Sequence, residues 1–387
     1  MKYDFDRKIE RAGSYSLKWD VPEGELPMWV ADMDFQTAPE IQEAICKRAE
    51  HGVYGYAVVP DAWYQAYGNW WEGVHHFRLE KDWLMFCTGV IPAVSSAIRN
   101  LTEPGENILI QTPVYNAFFH VITDNGRKVA ENPLQYKEGS YEMDFLLLEE
   151  QLSNPKTTMM ILCNPHNPVG KIWEREVLER VGELCKKHHV IVLSDEIHCD
   201  LTAPGLEYVP FASVSAICRE NSITAIAPTK TFNLAGIKTA AVAVPDRVMY
   251  REMQRALRID EVAEPNVFAI DAAIAAFTKG EPWLGALRSY LQENKQYVRE
   301  FLKKELPQIS VVSMDATYLL WLDCRSLQMS SSEIARVLRR EAKLYLMAGK
   351  EYGSNGDGFL RMNIACPREF VQEGMWRLKK GLEWRYV

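Results

Sequence analysis

The stretch TTMMILCNPHNPVG (157–170), followed by VIVLSDEIHCD (190–200) and SITAIAPTKTFN (222–233), repeats one pattern: an apolar run, then a polar turn. Each run is short, apolar throughout and closed by turn-forming residues, as a strand buried on both faces is. Between the first two lies 174–187, whose apolar residues Val177, Leu178, Val181, Leu184 and Cys185 mark one face of a helix. Outward from this centre, WLMFC (83–87), NILIQ (107–111) and TAAVAV (239–244) have the same texture. The region from Trp83 to Pro245 therefore predicts an α/β domain with a mostly parallel, doubly wound sheet.

Past Glu281 the texture changes. A long helical pattern over 283–306 leads into ISVVSM (309–314), TYLLWLD (317–323), a helix over 331–342, LYLMAG (344–349), FLRMNIA (359–365) and a closing helix. That is a smaller α+β unit, and residues 1–45, which show little strand–helix alternation, are assigned to it. The predicted division is a large domain over 46–282 and a small one formed by 1–45 and 283–387; a chain of 387 residues suits two domains.

Composition narrows the partners. A net charge of −8, with Lys and Arg scattered among acids, offers no basic field for nucleic acid. The Met1–Glu10 stretch lacks the apolar core of a signal peptide and no apolar run reaches membrane-spanning length, so a cytoplasmic protein is expected, with no membrane partner. The eight cysteines are widely spaced without a CxxC pair and read as reduced, mostly buried thiols. His75-His76 and His188-His189 lie on helices or their ends with no cysteine or carboxylate at metal-ligand spacing, so no metal site is expected.

In open α/β sheets ligands bind beyond the carboxyl ends of the strands. Here those ends carry Thr88-Gly89-Val90-Ile91-Pro92, Thr112-Pro113-Val114-Tyr115, Asn164 to Gly170, Asp195-Glu196-Ile197-His198 and Pro228 to Asn233. Together they suit an anionic, planar, nitrogen-containing ligand. A glycine turn opening a helix offers backbone N–H groups to a phosphate. Tyr115 offers a ring face, Asp195 an opposite charge for a protonated ring nitrogen, Asn167 and His198 hydrogen bonds to a ring hydroxyl, and Lys230 an amine for a Schiff base. Taken singly each has a plainer explanation, as a helix cap, a packed aromatic or an N-cap. Their order and joint placement are what point to a site.

Asn167-Pro168-Val169-Gly170, then Asp195 three residues before His198, then Thr229 to Gly236, resembles the fold-type I pyridoxal 5'-phosphate (PLP) enzymes of aminotransferase class I and II. Within these the chain is similar to the MalY/PatB-type branch of cystathionine β-lyases and cysteine carbon–sulfur lyases. The branch signals are Lys18-Trp19-Asp20, Trp29 to Phe35, Gly55-Tyr56, Ser194 to His198, and Gly358 to Asn363 followed by Ala365-Cys366-Pro367. They span nearly the whole chain.

The resemblance implies a PLP-dependent transferase-like fold and a shared set of roles. Lys230 would hold the cofactor and move the substrate's α-proton, Asp195 would pair with the pyridinium nitrogen, Asn167 and His198 would contact the ring hydroxyl, and Tyr115 would stack on the ring. Backbone groups of Val90 and Ile91 would hold the phosphate, joined by Tyr56 from the other subunit of a homodimer, and Arg361 would clamp the substrate carboxylate. Two positions depart from the family pattern. Ala227 stands where many relatives have Ser, leaving Thr229 to supply a hydroxyl, and Lys238 stands where many have a phosphate-binding Arg. The implied reaction, part of amino-acid metabolism, is β-elimination from cystathionine or a cysteine S-conjugate to thiol, pyruvate and ammonia. An aminotransferase sharing the same residues is the alternative, and a regulatory protein that retains the fold is a further one.

Overall fold

The computed structural model describes residues 3–383, so the first two residues of the Met1–Glu10 stretch lie outside it. Seven strands form the central sheet: β1 (Leu84–Cys87), β2 (Asn107–Ile110), β3 (Lys128–Glu131), β4 (Thr157–Cys163), β5 (Ile191–Asp195), β6 (Ser222–Ile226) and β7 (Ala240–Ala243). Their order is β1-β7-β6-β5-β4-β2-β3, and only β7 runs against its neighbours. The expected α/β, mostly parallel sheet is thus present, with all six expected strands in it.

β4 shows why the strands read as continuous apolar runs. Successive side chains of a strand point to opposite faces. Met159, Ile161 and Cys163 enter one hydrophobic core, while Met160 and Leu162 enter another on the opposite side. Both faces are covered, so neither can be polar. The seventh strand, β3, has the sequence KVAE, with Lys128 exposed and the other three residues only partly buried. It lies at the sheet edge, where charged residues are tolerated, and for that reason carries no apolar run.

The helices that matter for the site are α1 (Pro39–Glu50), α2 (Asp61–His75), α3 (Val90–Leu101), α4 (Arg175–Lys187), α5 (Pro228–Thr231), α6 (Val267–Lys279) and the 25-residue α7 (Glu281–Glu305). The expected helices over 174–187 and 283–306 are α4 and α7 to within two residues. Beyond α7, strands β8 (Ser310–Val311), β9 (Leu319–Asp323), β10 (Met347–Ala348) and β11 (Phe359–Asn363) make an antiparallel sheet in the order β8-β9-β11-β10, backed by helices Ser331–Ala342 and Arg368–Leu382. Leu26–Pro27 pairs in parallel with Leu344–Tyr345, tying the N-terminal segment to this C-terminal unit. The boundary expected at residue 46 falls inside α1, which packs on α6 of the larger unit. We propose a larger unit running from α1 to the start of α7 and a smaller one formed by the rest.

Among the described residues no helix is long and apolar enough to cross a membrane. All eight cysteines are unpaired, and all but Cys46 are buried.

Candidate active site

The C-terminal ends of β1, β4, β5 and β6 converge on one cavity of about 180 Å3. Of the residues singled out in the sequence, Val90, Ile91, Tyr115, Asn167, Asp195, His198, Thr229, Lys230 and Lys238 all line it. Larger, open surface cavities exist, such as that between Glu80–Trp83 and Arg247–Gln254, but they lie away from these strand ends.

Each group is placed by its local structure. Asp195 closes β5, and its Oδ1 accepts from the N–H of Ile197 (3.1 Å), which orients the carboxyl. Burial pushes its pKa up from 3.8 to about 7, opposed by that hydrogen bond. Lys230 sits in α5, the single helical turn after β6, and its Nζ donates to the carbonyl of Ala31 (2.5 Å). Burial first, then the positive charge of Arg361, lowers its pKa from 10.5 to about 8. His198 is fully buried, and burial with the nearby Lys230 and Arg361 charges lowers its pKa to about 3, so its ring is neutral.

Gly89 precedes α3, whose first N–H groups have no acceptor within the helix and meet the cavity. A side chain at Gly89 would press on the Pro92 ring at 3.2 Å. Lys238 takes a left-handed backbone, φ 57°, two residues past Gly236.

The segment 29–35 crosses in front of these strand ends and is held by backbone hydrogen bonds from side chains of both units. Arg361 Nη2 donates to Trp29 O (2.8 Å), Asn363 Nδ2 to Val30 O (2.5 Å) and Asp32 O (2.6 Å), Tyr318 Oη to Ala31 O (3.0 Å), and Asn233 Nδ2 to Met33 O (3.0 Å) and Phe35 O (2.9 Å). Sequence reasoning gave this segment no role in the site. Its contribution is through carbonyl oxygens, which residue identity does not reveal. Cys163, at the end of β4, also lines the cavity without having been singled out; its place as the last residue of an apolar run was the available signal.

Two expected residues stand apart from the cavity lining. Arg361, on β11, is buried, and its charge acts on both Lys230 and His198. Tyr56 is fully exposed and borders a surface cavity with Tyr54, Gly236, Ile237 and Phe268.

The group that fits such a cavity is tested by the polar atoms left over. Asn167 Oδ1, His198 Nδ1, Arg361 Nε and Arg361 Nη1 are buried without a hydrogen-bond partner. Buried polar atoms are normally paired, so these four describe what a ligand must supply. Together with a burial-strained carboxyl, an amine of lowered pKa and an open helix N-terminus, they fit the implied PLP plus an amino-acid carboxylate.

Comparison with known proteins agrees with this chemistry. The chain is 41% identical to cystathionine beta-lyase PatB of Bacillus subtilis, over 98% of its own length and 100% of that protein's. Its structure superposes on PLP-bound putative aminotransferase from Clostridium difficile 630 with a TM-score of 0.95 and 36% identity, covering 98% of this chain and 100% of that one. On cystalysin from Treponema denticola, which contains a pyridoxal 5'-phosphate cofactor, the TM-score is 0.96 at 31% identity, with both chains fully covered. A family model for aminotransferase class I and II matches residues 31–378, and with these likenesses the chain belongs to that family.

Proposed function

We infer that this protein is a PLP-dependent carbon–sulfur β-lyase, acting on cystathionine or a cysteine S-conjugate with net conversion of amino acid and water to thiol, pyruvate and ammonia. The cavity geometry supports the cofactor and an amino-acid substrate. The observation that carries the lyase outcome is the end-to-end likeness to PatB.

Bound in this cavity, the cofactor supplies an electron-withdrawing ring that stabilises negative charge on the α-carbon of an amino acid joined to it. The chain's own residues do the rest. Lys230 Nζ, with a pKa near 8, is available as a neutral amine to take the α-proton. Asp195 would pair with the ring nitrogen, being a buried carboxyl whose ionised form is stabilised once a positive charge lies against it. Asn167 and His198, whose Oδ1 and Nδ1 are buried without partners, would bond the ring's oxygen substituent, and Tyr115 would offer its ring to the cofactor's. The N–H groups of Val90 and Ile91 would hold the phosphate, with Thr229 and Lys238 lining the same cavity. Arg361 turns Nε and Nη1 to the substrate carboxylate as a planar fork.

We propose that the working unit is a homodimer in the cytoplasm. Val53, Tyr54, Tyr56 and Val58 form an exposed apolar loop, a surface suited to a second copy that would receive Tyr56 at its phosphate. Unpaired thiols support a reducing compartment.

The C. difficile likeness favours one alternative, an aminotransferase. A multiple-turnover reaction with cystathionine, run with and without 2-oxoglutarate, separates the two. The lyase releases thiol, pyruvate and ammonia in equal amounts with no 2-oxo acid added. Turnover that requires 2-oxoglutarate and releases no thiol overturns it.

A further inference from the structure

Five residues past Asp195 lies a second buried carboxylate, Asp200, which the reaction does not use. Its side chain is fully buried. Oδ2 accepts from Thr231 Oγ1 (2.8 Å), and Oδ1 accepts from Trp70 Nε1 (2.9 Å) and lies 2.9 Å from His75 Nε2. His75, Cys199 and Asp200 present ligand atoms within 4.8 Å of one another. Both Asp200 oxygens are engaged by protein groups, so in this structure the cluster is a hydrogen-bonded hub. These donors hold Asp200 ionised despite its burial, His75 first among them.

What the hub joins is informative. Thr231 directly follows Lys230 in α5, a helix of four residues. One isolated turn has no cooperative stability and keeps its shape only through outside contacts. On the other side, Asp200 ends the turn that carries Asp195 and His198, closed by Cys199 N to Glu196 O (3.0 Å) and Leu201 N to His198 O (3.0 Å). Trp70 and His75 belong to α2, buried in the aromatic core with Phe232 and Phe277. One carboxylate thus fastens the turn bearing the lysine, the loop bearing the ring contacts and a rigid helix to each other.

We propose that Asp200 is a positioning residue for Lys230: through the Thr231 hydroxyl it fixes the turn from which the lysine reaches its target. The proposal rests on the reading of Lys230 as the cofactor lysine. Asp200 acts through geometry, since the charges that shift Lys230 are those of Arg361, Asp32, Asp195 and Lys238.

The test uses cofactor-stripped protein mixed with PLP. The rate at which the Lys230 nitrogen bonds to the aldehyde carbon, with loss of water, is followed by absorbance and by borohydride trapping with peptide mapping. Thermal unfolding of the same cofactor-free proteins is measured in parallel. Thr231→Val keeps the shape and loses the hydroxyl; attachment should slow roughly tenfold or more, as for a misaligned reacting group. Thr231→Ser loses a buried methyl and keeps the hydroxyl; it should melt lower yet attach at close to the parent rate. Asp200→Ala, which removes the acceptor, should slow attachment like Thr231→Val. If Asp200→Ala fails to fold, the two Thr231 variants still decide. Attachment that is unchanged in Thr231→Val, or that merely tracks melting temperature across the variants, overturns the proposal. Parent protein that attaches PLP at another lysine overturns the cofactor reading itself, and this inference with it.

Discussion

Arg361 donates Nη2 to the carbonyl of Trp29 at 2.8 Å while its Nε and Nη1, equally buried, meet no acceptor. The guanidinium is held from one side by the 29–35 segment and from another by the Tyr352 ring, 4.8 Å away. Leaving buried charged donors unpaired costs free energy that an incoming carboxylate returns. The open half of the guanidinium is therefore a preformed place for the group that every amino-acid substrate carries.

Arg361→Lys should raise KM for the amino acid by roughly 10- to 100-fold, the loss of a charge-assisted hydrogen bond. Attachment of PLP to Lys230 should continue. Steady-state kinetics alongside cofactor absorbance checks both, and loss of PLP with normal amino-acid binding would reassign Arg361 to the phosphate.

Lys230→Ala should abolish covalent attachment, because the borohydride-trapped label belongs on the peptide containing residue 230. In the parent protein the attachment rate should rise with pH through about 8, where burial and Arg361 place the amine, and not near 10.5. Arg361→Met removes a positive neighbour, makes protonation easier and should move that midpoint upward.

Asp195→Asn tests the cost of burying the Asp195 carboxyl in its ionised form. Between the unfolded value of 3.8 and the folded value of about 7, the folded chain holds a proton that the unfolded chain has released. Rising pH through this window therefore costs the parent stability that the amide variant keeps. In cofactor-free protein the melting-temperature advantage of Asp195→Asn should grow from about pH 5 to about pH 8. A constant difference would show that Asp195 titrates normally. With PLP bound the variant should turn over far more slowly, since the ring nitrogen loses its counter-charge.

A shared site predicts complementation between two crippled chains. Lys230→Ala and Tyr56→Phe homodimers should each be impaired, and subunits exchanged between them should regain about a quarter of parent activity, because half the dimers carry one intact site of two. No recovery on mixing, or a fully active monomer by sedimentation, would remove Tyr56 from the phosphate.

Much of this was legible in the sequence. The six buried runs are all strands of the sheet because covering both faces forces them to be apolar, and the strand-end residues meet in one cavity because parallel strands point the same ends the same way. What stayed hidden has physical causes. β3 is an edge strand whose charged residues look like loop. The reversal of β7 leaves no mark in TAAVAV, since an apolar strand reads alike in either direction. His75 met no carboxylate by spacing because its partner, Asp200, is 125 residues away. Arg361 and Tyr56 were reached through family resemblance alone, as an isolated Arg in a strand and a Tyr in a loop carry no signal of their own.

The placement of β1 has a consequence for how the protein comes to be made. β1 is an edge strand whose sole neighbour in the sheet is β7, more than 150 residues later in the chain. Gly89 and the N-terminus of α3 extend directly from β1, and α5 with Lys230 lies just ahead of β7. On the ribosome, the phosphate end of the cavity cannot be joined in the sheet to the lysine end until the chain has emerged beyond Ala243. Pairings this distant in sequence form late. Capture of the cofactor therefore waits on the emergence of β7, and truncated nascent chains ending before β7 should fail to take it up.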